Sequence, residues 1–129
     1  MIKLEKVLGN EKEKECVELL RFYAVENIDN SYLMYFENID APVGVLEYRE
    51  HGDSVHVDYI CTFEGYRNQG IASCVIKTLN EDYVITGNSV IDALGFWQKL
   101  GAEFEEDITI KENLDYYIEN NLCVPFIIH

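Results

Sequence analysis

The sequence predicts a mixed α/β (α+β) domain, in which a central mixed sheet opens with an antiparallel meander, continues through a crossover helix and carries helices packed on its faces. Two observations lead there. Three runs rich in β-branched and aromatic residues, Tyr32 to Phe36, Val43 to Tyr48 and Ser54 to Thr62, are separated only by the turn signals Asn38-Ile39-Asp40-Ala41-Pro42 and His51-Gly52-Asp53. Directly after the third run the apolar period changes: Ile71, Val75 and Leu79 share one helical face. A chain of 129 residues, 48% of them hydrophobic, has the size of one compact domain, so a single domain over residues 1–129 is expected.

In chain order, Asn10 with Glu13 has the spacing of a capping box, and Val17, Leu20 and Ala24 follow at helical intervals, which predicts a helix over residues 11–25. The three strands come next as a meander. Gly70 opens a helix over residues 70–80, expected to be a right-handed crossover between parallel neighbours. Tyr83 to Thr86 reads as a short strand. Ser89 with Asp92 is a candidate cap for a helix carrying Ala93, Phe96, Trp97 and Leu100, ended by Gly101 in a left-handed conformation. Glu103 to Ile110 and Leu122 to Ile128 read as strands, with residues 111–121 open between hairpin and short helix. As an edge strand, Leu122 to Ile128 can pair with a second chain, which makes a homodimer a candidate assembly.

Composition narrows the function. A formal net charge of −14 argues against nucleic acid, whose binding needs clustered lysines and arginines. The same field attracts cations such as amines, while also serving plain solubility. No stretch reaches the roughly 18 apolar residues of a membrane span, and the opening residues lack the apolar core of a secretion signal. A soluble, cytoplasmic protein is expected. Cys16, Cys61, Cys74 and Cys123 lack the short paired spacings of a zinc site, so no metal is expected, and buried structural thiols are.

The chemistry points to the segment Asp58 to Ala72. A strand ends near Thr62, a polar loop follows, and a helix starts at about Gly70. The first N–H groups of a helix have no helical partner and its dipole favours negative charge there, so the junction suits an anion. Gly70 and the small Ala72 let a ligand approach the backbone. From Phe63 to Asn80, Arg67 and Lys77 face only Glu64, a local excess of one positive charge. Gly65 and Gly70 have the glycine spacing of a nucleoside-triphosphate loop, but Ile71 and Ala72 stand where that loop needs lysine and a hydroxyl residue.

Arg67-Asn68-Gln69-Gly70-Ile71-Ala72 resembles the R/Q-x-x-G-x-G/A signature of the GNAT superfamily of acetyl-CoA-dependent N-acetyltransferases. Some thirty residues on, Ala93 to Phe104 resembles that family's second segment, a helix ending in aromatic-x-K-x-G before a strand. The resemblance covers roughly residues 32–110. It implies a cofactor, acetyl-CoA, whose pyrophosphate is held by Arg67, Asn68, Gln69, Gly70, Ile71, Ala72 and Ser73. Pantetheine is implied along Ile60, Cys61 and Thr62, where a backbone N–H polarises the thioester carbonyl. Asn88 and Lys99 are implied as further cofactor contacts.

The implied reaction is direct attack by a primary amine of a small molecule, polyamine or peptide. Strand alternation places His56, Asp58 and Ile60 on one face, and the family often puts its general base at positions matching His56 and Asp58. Where many members have a tyrosine that protonates the departing thiolate, this chain has Trp97, which is equally well explained as core packing. A non-catalytic acyl-CoA-binding or partner-binding module is the competing expectation.

Overall fold

The protein is described from a computed structural model over residues 2–7, 30–37, 39 and 41–129. The expected helix over residues 11–25 lies outside these. The chain divides into two compact units: Met1–Arg49 with Val57–Ile76, and Glu50–His56 with Lys77–His129.

In the first unit, β1 (Ile2–Lys6) pairs antiparallel with β2 (Ser31–Phe36), which pairs antiparallel with β3 (Pro42–His51). The next strand, β4 (Ser54–Thr62), follows β3 through a tight turn. Phe63 N–H donates to the Val43 carbonyl at 2.8 Å, whereas Arg49, farther along β3, reaches back to Asp58 at 2.8 Å. Rising numbers on one strand meet falling numbers on the other, so β3 and β4 are antiparallel and the predicted meander is present. β1 escaped the sequence reading. Its alternation of apolar and charged residues has a strand's period, and Lys3 lies 5.5 Å from the Tyr35 ring centroid.

The core of this unit joins Val7, Leu33, Tyr35, Val45 and Phe63, with Tyr59, Cys61 and Tyr66 packed against it. Gly44 on β3 lies close against β2 and β4. A Cβ there would strike the Met34 methyl and stand 2.5 Å from the Cys61 carbonyl oxygen, so the strand passes only as glycine. Helix α1 (Ile71–Asn80) buries Ile71, Val75 and Ile76, the face its apolar spacing predicts apart from Leu79.

In the second unit, Gly52 adopts φ 61° in the β3–β4 turn, and Ser54 Oγ donates to the His51 carbonyl at 3.0 Å. The start of β4 lies beside β5 (Val84–Ser89): Val84 N–H donates to the Asp53 carbonyl at 2.9 Å, and His56 meets Thr86 at 2.9 Å. Numbers rise together, so these strands are parallel, with α1 in the connection as expected. β5 pairs antiparallel with β7 (Val124–Ile128), which pairs antiparallel with β6 (Glu103–Phe104). The architecture is a mixed α+β arrangement, mostly antiparallel, with seven strands and three α-helices among the described residues.

Four expectations are corrected here. β7 is not an edge: β5 covers one side and β6 the other, so the proposed route to a homodimer through this strand is closed. The strand expected over Glu103 to Ile110 stops at Phe104, because Asp107 accepts hydrogen bonds from Thr109 N–H at 3.0 Å and Thr109 Oγ1 at 2.6 Å and folds the backbone into a turn. Ser89 caps no helix. Its hydroxyl donates to the Val90 carbonyl at 2.8 Å, and a 3-10 turn over Ile91–Ala93 precedes α2 (Leu94–Lys99) without a side-chain cap. Cys74 and Cys123 are exposed thiols and Cys61 is half-buried, so burial does not account for them.

Residues 111–121, left open by the sequence, contain α3 (Lys111–Glu119). Both α2 and α3 close in the same way. In α2, Gly101 at φ 87° donates to the Gln98 carbonyl and Ala102 to Trp97, both at 3.1 Å. In α3, Asn121 at φ 51° donates to Ile118 at 3.2 Å and Leu122 to Tyr117 at 2.9 Å. These are Schellman closures, which need a residue that tolerates the left-handed region. Leu94, Tyr117 and Val124 form the core between these elements, with Ile91, Phe104, Ile108 and Leu114 against it.

Two outcomes follow. Gly44→Ala should lower unfolding free energy by about 1–3 kcal/mol through overpacking; a denaturant midpoint equal to that of the parent protein would refute the close approach. The hydroxyl and N–H of Thr109 hold the Asp107 carboxyl below its ordinary range. The carboxylate therefore contributes stability above its unfolded pKa, and this is lost as pH falls through the folded value. Thr109→Val should raise the Asp107 pKa, read by NMR titration of the side-chain carboxyl carbon; an unmoved titration would show that the hydroxyl bond contributes nothing.

Candidate active site

β4 ends at Thr62 and the chain turns at once into the loop that the sequence singles out. Two aromatic residues hold this loop. Phe63 is buried in the core of the first unit, and Tyr66 packs edge-on against Phe36 with ring centroids 6.3 Å apart. Tyr66 N–H closes a turn on the Phe63 carbonyl at 3.0 Å. Neither anchor was identified from sequence, although an aromatic pair three apart after a strand is the signal that could have shown them.

Beyond the anchors, residues 67–70 are exposed. Three positions in the loop have positive φ: Gly65 at 94°, Asn68 at 63° and Gly70 at 72°. A side chain at φ 72° pays the left-handed penalty, which glycine does not. The first helical hydrogen bond of α1 runs from Cys74 N–H to the Gly70 carbonyl at 3.0 Å. The N–H groups of Ile71, Ala72 and Ser73 therefore precede the helical ladder and donate to no backbone carbonyl among the described residues. They mark the positive end of a ten-residue helix that carries no acidic side chain in its first turn. A Cβ placed on Gly70 would meet nothing within 4 Å, so space for a ligand lies directly over the turn.

Arg67 is the cation of this loop. Its Nε donates to the Thr62 carbonyl at 3.2 Å, which folds the side chain back over the end of β4. That one bond uses one of five guanidinium donors. Cys61 Sγ lies 3.5 Å from the Thr62 carbonyl, placing the thiol within the core cluster.

The two candidate bases have different partners. Asp58 receives two parallel hydrogen bonds from Arg49, Nε to Oδ2 at 2.8 Å and Nη2 to Oδ1 at 2.9 Å. The hydrogen-bonded carboxylate raises the Arg49 pKa. His56 is half-buried, with Nδ1 2.9 Å from the Thr86 hydroxyl on β5. Its partner fixes the ring, and the tautomer decides which atom donates. No spacing in the sequence could have found Thr86, which lies thirty residues away.

The structure brings Thr62 and residues 67–73 together in the first unit. Asn88 and Lys99 belong to the second, Asn88 exposed on β5 opposite Pro125 and Lys99 exposed in the last turn of α2. Trp97 is buried, stacked on Phe126 with centroids 4.3 Å apart and edge-on to Phe96 at 4.9 Å. It packs as a core residue.

Solved structures match this chain almost end to end. Naa50 from Arabidopsis thaliana, solved with a bisubstrate analogue CoA-Ac-MVNAL, is 16% identical, with 99% of this chain and 98% of that one covered at a TM-score of 0.65. The N-acetyltransferase YlbP of Bacillus subtilis, solved with coenzyme A, is 18% identical, with 100% and 97% covered at 0.61. SP0256 from Streptococcus pneumoniae, a GNAT family acetyltransferase, is 22% identical, with 84% and 89% covered at 0.57. The chain has the GNAT fold. No protein-family model matches it, and no curated protein matches its sequence. At these identities the likeness is one of fold.

Proposed function

We propose that this GNAT-fold chain is a single-domain N-acetyltransferase that moves an acetyl group from acetyl-CoA to a primary amine. The observation that carries the reading is the left-handed turn at Gly70. It stands in the sequence signature Arg67 to Ala72, opens a helix whose first N–H groups lie outside the helical ladder, and occurs in a fold whose solved examples Naa50 and YlbP hold a coenzyme A analogue and coenzyme A.

In this reading the amides of Gln69 to Ser73 and the Arg67 guanidinium bind the pyrophosphate. Ile60 to Thr62 align the pantetheine, and Asn88 and Lys99 supply further contacts. A backbone N–H near Cys61 or Thr62 stabilises the oxyanion that develops on the thioester carbonyl. The amine nitrogen forms the new bond to the carbonyl carbon, the carbon–sulfur bond breaks, and the thiolate leaves. The proton lost by the amine goes to a base. Of the two candidates His56 fits better: imidazoles as a class exchange protons nearer neutral pH than carboxylates do, and Asp58 already receives both bonds of the Arg49 fork. The acceptor is a small-molecule, polyamine or peptide amine.

The buried Trp97 favours a second reading, a non-catalytic acyl-CoA-binding or partner-binding module. An indole locked in an aromatic stack supplies no acid for a departing thiolate. The first reading answers that coenzyme A thiolate leaves tolerably well unassisted.

Calorimetric titration with acetyl-CoA, coenzyme A and ATP separates these readings. Acetyl-CoA and coenzyme A should bind and ATP should not, with Gly70→Glu abolishing binding and Gly70→Ala, which has the strain without the charge, retaining part of it. Undiminished affinity in a folded Gly70→Glu protein would remove the cofactor assignment. With a cofactor-competent protein, His56→Ala should lower kcat by about a hundredfold or more at unchanged cofactor affinity, and Asp58→Asn should have a smaller effect. Normal turnover by His56→Ala would remove the base assignment, and binding without turnover by the parent protein on any amine would establish the second reading.

A further inference from the structure

The second unit carries a groove of about 380 Å3. Val90 and Ile91, after β5, and Tyr117, Ile118, Leu122 and Cys123, around the closure of α3, line it. Its apolar side chains are open to solvent: Val90 is 56% exposed, Ile118 51% and Leu122 41%. A cluster of exposed apolar side chains on one surface marks a candidate binding site.

The groove also has a definite electrostatic sign. Asp92 lines it, and neither lysine, arginine nor histidine does. The Asp92 carboxylate caps no helix: the 3-10 turn that contains it has no side-chain cap bond. The last turn of α3, whose carbonyl end favours cations, has no basic residue. Burial, together with the charges of Glu106 and Glu105, pushes the Tyr117 phenol above its ordinary range. A neutral apolar ligand would leave the Asp92 charge unanswered, and an anion would be repelled by it.

We propose that this groove binds a primary ammonium compound with a compact hydrocarbon body, its nitrogen on the Asp92 carboxylate and its apolar part on Val90, Ile118 and Leu122. The inference goes beyond acetyl transfer, since it requires neither acetyl-CoA nor turnover.

Cys123 reports on the groove, and Cys74, exposed on α1, is an internal reference. The test measures alkylation of both thiols by N-ethylmaleimide, resolved by peptide mass spectrometry, in the absence of any coenzyme. The probes are 2-phenylethylamine and its neutral counterpart 2-phenylethanol. The amine should slow alkylation of Cys123 and leave Cys74 unaffected. It should act at about a three- to fivefold lower concentration than the alcohol, the scale of an exposed ion pair. Asp92→Asn should abolish that difference, and Leu122→Ser should weaken both probes. Equal protection by amine and alcohol, protection unchanged in Asp92→Asn, or no protection would each overturn the proposal. So would a Cys123 that is shielded before any probe is added in a protein that sediments as a dimer, since a second copy then covers the groove. Calorimetry with acetyl-CoA on the same preparation shows whether the cofactor reading stands or falls separately.

Discussion

The turn at Gly70 is the constraint on which the rest of the candidate site depends. A strand must hand over to a helix within a few residues, and the helix must begin with its N–H groups clear of the protein. A residue at φ 72° makes that possible, and for any side chain with a Cβ this conformation costs about 1–2 kcal/mol. Two aromatic anchors hold the loop that feeds the turn: Phe63 in the core and Tyr66 against Phe36. What remains exposed, residues 67–70, is left available for a ligand. The local charge agrees, since Arg67 and the helix end offer a positive environment within a chain of net charge −14.

The same strand also shows how environment separates two titratable groups that sequence alone places together. Alternation puts His56 and Asp58 on one face, and by that criterion they are interchangeable. Their neighbours make them different. A planar guanidinium grips both oxygens of Asp58. A neutral hydroxyl, which can donate or accept, stands at His56 Nδ1.

Most of the strand framework was legible because β-branched and aromatic runs bounded by turn residues have one simple solution, and β2, β3 and β4 lie within a few residues of the runs that predict them. Helix α1 was legible from its apolar period, and the end of α2 from Gly101. The failures have a shared cause: local hydrogen bonds that pattern cannot see. Glu103 to Ile110 has alternating apolar residues, but Asp107 bonds to the backbone and hydroxyl of Thr109 and prevents a ladder. Ser89 has a capping side chain at a plausible spacing, yet its hydroxyl is committed to Val90. Partners distant in sequence, such as Thr86 for His56, were beyond reach because strand order between non-consecutive elements is set by the whole fold. That β7 lies inside, between β5 and β6, was hidden for the same reason.

Trp97 shows how packing can restrict chemistry. A tyrosine at this place would need a hydrogen-bond partner or water for its hydroxyl, and the site offers instead the face of Phe126 at 4.3 Å and the edge of Phe96 at 4.9 Å. Phe126 is in turn edge-on to Phe104 at 6.4 Å, so the indole is one member of an aromatic chain linking α2, β7 and β6. Moving it toward solvent would open the core that seats these elements. The ring is therefore held by packing, and in the proposed reaction any acid for a leaving thiolate has to come from another residue or from water.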